Sequence, residues 1–357
     1  MKLMHCSDLH LDSALGRNFS ASQAKARNAE LCATFSRMVR YALEHQVSAM
    51  LIAGDLFDSS HVSAQTVDYI LRQIRNAADV TFFLLRGNHD GGRDSFAGQE
   101  LPENLKTFGE QWKSYRMQDV VITAAEPEGD GWYTMYDGLN LNREDTNIVM
   151  LHGQISSQAG EERIALPLLR GKGIRYLALG HLHTCQTGEL EPDARYCYSG
   201  CPEGRGFDEC GEKGFVLLET EKDRISGRFV PFASRTLHEV DADISDAETV
   251  TQILARMEQA ADGIAPKDMV KFILRGTYTL TTQKDLNFLH KMLAEKFHCV
   301  KIKDESRLKI DTESYAFDAS LKGELIRLVL ASGHSAAEKE RIIACGIRAL
   351  NGEEVAL

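Results

Sequence analysis

Seven side chains suited to holding a metal ion stand in five short segments in the first half of this chain: Asp8 and His10 in SDLHLDS, Asp55 in GDLFD, Asn88 in RGNHD, His152 in MLHGQ, and His181 with His183 in LGHLHT. In two segments the pair is separated by one residue, so an extended backbone would point both side chains to the same side, where they can grip one ion. With Asp55 shared as a bridge, seven side chains supply four bonds to each of two ions and leave positions open for water and a substrate oxygen. Two ions roughly 3.5–4 Å apart clamp the attacking and leaving oxygens of an in-line displacement at phosphorus. The donors mix carboxylate, amide and imidazole, with no Cys among them. That mixture favours manganese, iron or zinc over a thiolate zinc site or an all-oxygen calcium site, and the donors alone do not choose among the three.

Such a set needs a scaffold that brings five strand ends together. Apolar runs at 2–6, 49–53, 81–85, 147–151 and 176–179 are short and flanked by Gly or polar turns, and each precedes one ligand segment as a buried strand would. Helical spacing fills Ala21 to Glu44 and Ala64 to Ala77. Loops at strand ends build the sites of layered α/β folds, and all five segments obey that rule. Gly129 to Asp145 reads as a hairpin or irregular loop whose Trp132, Tyr133 and Tyr136 could stack on bases but are expected to pack against a second sheet. From about Pro231 the ligand segments stop. Helical spacing at Val250 to Ala261 and Leu286 to Phe297 then alternates with strand runs at Val270 to Leu274 and Val300 to Ile302, and amphipathic helices follow at Leu321 to Leu330 and Ala337 to Leu350.

DLH, GDLFD, GNHD, LHG and GHLH, in this order, resemble the five signature segments of the calcineurin-like metallophosphoesterase superfamily. LPENLKTFGEQW (Leu101 to Trp112) and YSGCPEGRGFDECGEKGFVLLE (Tyr198 to Glu219) resemble the SbcD-like DNA-repair nucleases, especially their shorter YhaO-type relatives, as do LKGELIRLVL and IRALNGEEV in the tail. The resemblance implies an α/β fold, a layered metallophosphoesterase sandwich of two central sheets flanked by helices. The catalytic domain would cover residues 1–230, and a smaller C-terminal α+β capping domain residues 231–357. It further implies that Asp8, His10, Asp55 and His183 hold one ion and that Asp55, Asn88, His152 and His181 hold the other. His89 falls where the superfamily has a histidine that is not a ligand. Chemistry agrees, since His89 beside a metal-bound Asn88 could protonate the leaving alkoxide or offset phosphoryl charge. Asp90 would orient His89 and fix its tautomer. The implied partners are DNA, an SbcC-like coiled-coil ATPase and a second copy of the chain as a homodimer. Superfamily members often have a proline after GDLFD where this chain reads SSHVSAQ, a departure that touches only the shape of that loop.

Other polar residues invite weaker readings. His5 and Asp58 could support the ligands, although His5, inside a strand, is expected to be a core histidine. His61 and Arg93 follow ligand segments and could touch phosphate, as could Arg205 and Lys213, or all four could be ordinary loop charges. The net charge of −11 argues against a DNA grip by the protein alone. Two divalent ions would offset it locally, because a global sum does not describe a local field. The start MKLMHCSDLH has no long apolar region and meets Asp8 at once, no run reaches the length of a membrane span, and the eight cysteines form no CxxC pair. These features suggest a cytoplasmic enzyme with reduced thiols and no membrane. The expected activity is metal-dependent hydrolysis of DNA phosphodiesters. Its rivals are a phosphoesterase for a small nucleotide or phosphomonoester, because one metal core serves many substrates, and a scaffold that bridges DNA or regulates an ATPase.

Overall fold

In the computed structural model, which describes all residues except 18, 59–61, 91–95, 97, 223, 280, 310–314 and 351–357, every ligand segment leaves the carboxyl end of a parallel strand. Chain order through the first of two compact units, Met1–Leu237, is β1 (Lys2–Cys6), α1 (Ala21–Glu44), β2 (Ala49–Ala53), α2 (Ala64–Asn76), β3 (Thr81–Leu85), β4 (Leu105–Thr107), β5 (Lys113–Met117), β6 (Val120–Ala124), α3 (Gly131–Gly138), β7 (Thr146–His152), β8 (Gln154–Ser156), β9 (Arg163–Ala165), α4 (Leu166–Leu169), β10 (Tyr176–Gly180), β11 (Gln186–Glu191), β12 (Ala194–Tyr198), β13 (Gly214–Glu221) and β14 (Arg224–Pro231). One six-stranded sheet runs β14-β13-β1-β2-β3-β4 and the other β11-β12-β10-β7-β6-β5. Within them β1, β2 and β3 are parallel, as are β6, β7, β10 and β12, so the ends of five strands open in the same direction.

Alternation along each strand explains why these runs are apolar throughout. Met4 and Cys6 of β1, Met50 and Ile52 of β2, and Phe82 and Leu84 of β3 pack under Phe35 and Met38 of α1 and Ile70 and Ile74 of α2. Their neighbours Leu3, Leu51 and Phe83 face the other way, onto Ile148, Met150, Tyr176 and Ala178 of the second sheet. Val149, Leu151, Leu177 and Leu179 then meet Trp132, Met135 and Tyr136 of α3 and Leu166 and Leu169 of α4. The result is a layered sandwich, two central sheets flanked by helices, in which strands buried on both faces have no polar side to show. Ser20 caps α1 in a reciprocal box with Gln23.

One segment differs from the expectation. Gly129 to Asp145 carries the helix α3 rather than a hairpin. Trp132, Met135 and Tyr136 sit at i, i+3 and i+4, a helical period hidden by the glycines at both ends. Both buried aromatics pack on the second sheet, and Tyr133 faces solvent.

The second unit is His238–Leu357. Its elements are β15 (Leu237–Asp243), α5 (Val250–Ala260), β16 (Met269–Arg275), β17 (Thr277–Tyr278), α6 (Leu286–Ala294), β18 (Cys299–Asp304), β19 (Arg307–Leu308), α7 (Leu321–Ala331) and α8 (Ala336–Leu350). A three-stranded sheet, β15-β16-β18, buries Val270, Phe272, Leu274 and Val300 against Ile253, Met257, Leu289 and Leu293 of α5 and α6. Ile326 and Val329 of α7 close on Ile343 and Ile347 of α8. Among the described residues no helix is long and apolar enough to cross a membrane.

Candidate metal centre

The backbone at the strand exits bends in a way the spacing alone did not foretell. Asp8, His10, Asp55 and His181 have φ of 54°, 45°, 54° and 107°, in the left-handed region that residues other than glycine seldom adopt. Asp8 and His10 therefore do not share a side because the chain is extended. They share it because two left-handed residues turn the chain after β1, anchored by Asp8 N donating to the Gly54 carbonyl and His10 N donating to the Asp55 carbonyl. Strain of this kind, on the order of 1–3 kcal/mol per residue, persists where surrounding contacts enforce it and gathers at functional sites.

All seven candidate ligands lie at the ends of the parallel strands, together with His89. Asp8, His10 and Asp55 are almost wholly buried. Ligand atoms of Asp8, His10 and His183 lie within 4.8 Å of one another, and so do those of Asp8, Asp55 and His152. Asn88 Oδ1 is 3.0 Å from His152 Nε2. His181 is brought in less directly. Its main-chain N–H donates to both oxygens of Asp8 at 3.0 and 3.1 Å, and its ring stands edge-on to that of His152 with centroids 5.6 Å apart.

His183 and His152 are hydrogen-bonded through Nδ1, and His10 Nδ1 stands at ion-pair distance from a carboxylate, so that in all three Nε2 faces inward. His10 Nδ1 lies 3.0 Å from Asp58 Oδ1, His183 Nδ1 2.7 Å from Glu209 Oε1, and His152 Nδ1 3.0 Å from the Ala53 carbonyl. Acceptors on Nδ1 fix the tautomer and raise the basicity of the opposite nitrogen. The inward atoms then have only acceptors to face: His10 Nε2 and His183 Nε2 are 3.2 Å apart, and His152 Nε2 is 3.4 Å from Asp55 Oδ2. Lone pairs so arranged repel unless a cation stands among them, so the residues fit a metal.

Electrostatics agree. Burial alone would lower the pKa of His152, but the hydrogen bond and charge of Asp55 outweigh it and lift the value to about 9. Burial likewise works to raise Asp55, and His152 and His10 overcome it and bring it down to about 2. A proton is thus drawn to the place a metal ion would take. Close packing leaves that place little freedom. A Cβ on Gly54 would fall 2.1 Å from His152 Nδ1, and one on Gly87 2.2 Å from Asp55 Oδ1, so the residue preceding each of Asp55 and Asn88 must be glycine.

His89 and Asp90 part company. The main-chain N–H of His89 donates to Asp55 Oδ1 at 2.9 Å, while its ring, half exposed, places Nδ1 3.3 Å from the Asp58 carbonyl and stands edge-on to His10. Asp90 has main-chain partners of its own. The Asp90 carboxylate accepts from Phe57 N at 2.7 Å and Gly87 N at 2.8 Å, and burial raises its pKa to about 6. Adjacent residues in a turn project in different directions, so Asp90 shapes the loop that carries Asn88 and His89.

Among the weaker readings, Asp58 supports His10, whereas His5 is fully buried between the sheets with Nδ1 3.0 Å from the Tyr176 hydroxyl, and burial lowers its pKa to about 3. His61 and Arg93 lie outside the described residues. Arg205 and Lys213 are not loose surface charges. Arg205 pairs with Asp58 and Glu209, and Lys213 is buried with Nζ donating to the His183 carbonyl at 2.7 Å. Residue-by-residue reading missed Glu209 and also Ser7, whose hydroxyl donates to Asp8 Oδ2 at 2.5 Å and lies 2.8 Å from Ser199 Oγ. The available signal was the segment Tyr198 to Glu219, which supplies Ser199, Arg205, Glu209 and Lys213. Among the described residues no disulfide joins the cysteines.

A family profile described as calcineurin-like phosphoesterase matches residues 1–185, the stretch that contains all seven candidate ligands and His89. The chain belongs to this family. It is therefore a metallophosphoesterase, a hydrolase family, and the first unit contains the family's matched region. The chain is 27% identical over 300 residues to the uncharacterized metallophosphoesterase YhaO of Bacillus subtilis strain 168, covering 78% of this chain and 72% of that protein. It is 27% identical over 269 residues to SbcD, a component of the nuclease SbcCD of Escherichia coli K12, covering 62% of this chain and 65% of that protein. To the DNA double-strand break repair protein Mre11 of Aeropyrum pernix it is 22% identical over 281 residues, covering 71% of this chain and 66% of that protein. The resemblance carried by the five motifs is borne out at the level of the metallophosphoesterase family, and its relatives include YhaO, SbcD and Mre11.

Proposed function

We propose that the centre hydrolyses DNA phosphodiesters with two divalent ions, manganese first among them. Asp8, His10, Asp55 and His183 would hold one ion, and Asp55, Asn88, His152 and His181 the other. The observation that carries the reading is the inward convergence of Nε2 of His10, His152 and His183 on the carboxylates of Asp8 and Asp55. When bound, such ions neutralise the growing charge on a phosphoryl group and lower the pKa of water. The chain's own residues do the rest. Ser7 and the His181 N–H fix the rotamer of Asp8, and the His89 N–H fixes that of Asp55. The Asp58 carbonyl accepts a hydrogen bond from Nδ1–H of His89, leaving Nε2 to carry a proton to the leaving oxygen from a ring that solvent and substrate can reach.

DNA is the preferred substrate because two relatives bear the names of a nuclease component and a double-strand break repair protein. In this reading the second unit is a capping domain, and an SbcC-like ATPase and a second copy of the chain are candidate partners. A second reading, a small phosphoester, has one observation in its favour. A cavity of about 280 Å³ opens beside Asn88 and His152; Arg86 offsets Glu126 in its lining, and Glu128, Glu161 and Glu162 add negative charge that would disfavour a polyanion. Cleavage of an end-labelled duplex and its single strand with manganese, set against EDTA and the Asp55→Ala variant, separates the two. Products that vanish in both controls support the nuclease; turnover of small phosphoesters without DNA cleavage replaces it with the second reading.

A further inference from the structure

One guanidinium joins the two carboxylates that hold facing imidazoles. Arg205 Nη1 donates to Asp58 Oδ1 at 2.6 Å, and its Nε and Nη2 donate to Glu209 Oε1 at 3.1 and 2.9 Å. Its main-chain N–H adds a bond of 2.7 Å to Glu209 Oε2. Asp58 then meets His10, Glu209 meets His183, and the two Nε2 atoms face each other at 3.2 Å, so a closed chain runs His10, Asp58, Arg205, Glu209, His183. Asp58 comes from the turn after β2, and Arg205 and Glu209 from the loop between β12 and β13, so the clamp ties together parts of the chain far apart in sequence. Glu209 is held to a pKa of about 2: burial works to raise it, and His183 with Arg205 more than reverses that.

We infer that Arg205 is a positioning residue for the ion held between His10 and His183, acting through Asp58 and Glu209 and not by touching substrate. This rests on the reading of His10 and His183 as ligands of one ion. Three of the five N–H groups of this guanidinium donate to the two carboxylates, so its charge is engaged by the supports of the imidazoles. Its planar fork is what allows one cation to meet two carboxylates at fixed angles, which an ammonium cannot do. Loss of the clamp frees both carboxylates to rotate and leaves the Nδ1 partners of both imidazoles unfixed. Partners of metal ligands in this position are worth about 10- to 100-fold in affinity or activity.

The test is titration of the full chain, stripped of metal, with manganese alone, followed by calorimetry. Arg205→Met should weaken one of the two manganese sites about 10- to 100-fold and leave the other unchanged, with KM for a small phosphodiester unaltered at saturating manganese. Arg205→Lys, able to meet only one carboxylate, should weaken the same site by less, and it carries the test should Arg205→Met fail to fold. Combining Arg205→Met with Glu209→Gln should cost no more than the larger single loss, because both break one chain; a multiplied loss overturns the clamp. Unchanged manganese affinities with a raised KM overturn the inference in favour of a substrate contact. His183→Asn separates the two levels. Should it bind manganese as the wild type does, the ligand reading itself falls; should it lose a site that Arg205→Met keeps, only the role of Arg205 falls.

Discussion

The two halves of the centre are held by different means. On the His10 and His183 side each imidazole leans on a side-chain carboxylate, Asp58 or Glu209, and both carboxylates lean on Arg205. On the Asn88 and His152 side the grip comes from main chain and packing: His152 Nδ1 bonds the Ala53 carbonyl at the end of β2, and Gly54 passes so close to the ring that no Cβ fits between. One half can thus be loosened by a single polar substitution without moving a strand. The other yields only when the sheets themselves are disturbed, and Asp55 faces both.

Removing Asp55 should break both halves at once. Its Oδ2 lies 3.6 Å from His10 Nε2 and 3.4 Å from His152 Nε2. Asp55→Ala is expected to reduce hydrolysis to the level seen with EDTA, a loss on the order of 10³-fold or more. Metal content after dialysis against manganese should fall for both ions. Retention of two ions by this variant would mean that the carboxylate is not shared.

His89 stands outside both halves, and its removal should leave them intact. His89→Ala is expected to lower kcat by about 10²- to 10⁴-fold with two ions still bound, and the deficit should shrink for a diester whose leaving group needs no proton. An equal deficit for good and poor leaving groups would argue against proton donation.

Damage to the packed half alone should come from Gly54→Ala. The new methyl group would meet His152 Nδ1 at 2.1 Å at a residue with φ of +92°, so it strains the backbone as well as the ring. Overpacking in a tight interior costs roughly 1–3 kcal/mol, and the melting temperature of the metal-free protein should drop accordingly. Manganese binding should weaken at one site only. A variant that melts as the wild type does while losing a site would show that the ring moves aside freely, contrary to the packing described.

These contrasts also explain what the sequence could and could not tell. Strands such as Ala49–Ala53 and Tyr176–Gly180 are legible because burial on both faces forces an unbroken apolar run, and the ligand segments stand out because polar residues follow at once. Left-handed turns at Asp8, His10, Asp55 and His181 are not legible, since a spacing of two residues looks the same whether the chain is extended or coiled. Support for the imidazoles is split across the chain: Asp58 and Glu209 read as separate loop charges until the fold joins them through Arg205. Asp90 shows the limit of adjacency, since closeness in sequence to His89 gives no sign of the main-chain groups its carboxylate meets. In the structure its carboxylate serves the main chain of Phe57 and Gly87.

The smallest effect should come from Asp58→Asn, which alters the side-chain half without removing an atom. An asparagine oxygen can still accept from His10 Nδ1, so the ring keeps its place and its tautomer. What goes is the charge. A carboxylate makes His10 Nε2 a better donor to a cation than a neutral amide does, and it also meets Arg205 at 2.6 Å and accepts from Ser13 Oγ at 2.8 Å. Manganese affinity at one site should fall by about tenfold, at the low end of what such partners contribute, with the melting temperature of the metal-free protein nearly unchanged because Asp58 is only partly buried. If instead the His152 side weakened as well, the two halves would be coupled through Asp55 more strongly than their separate supports suggest, and the division of the centre into a side-chain half and a main-chain half would have to be given up.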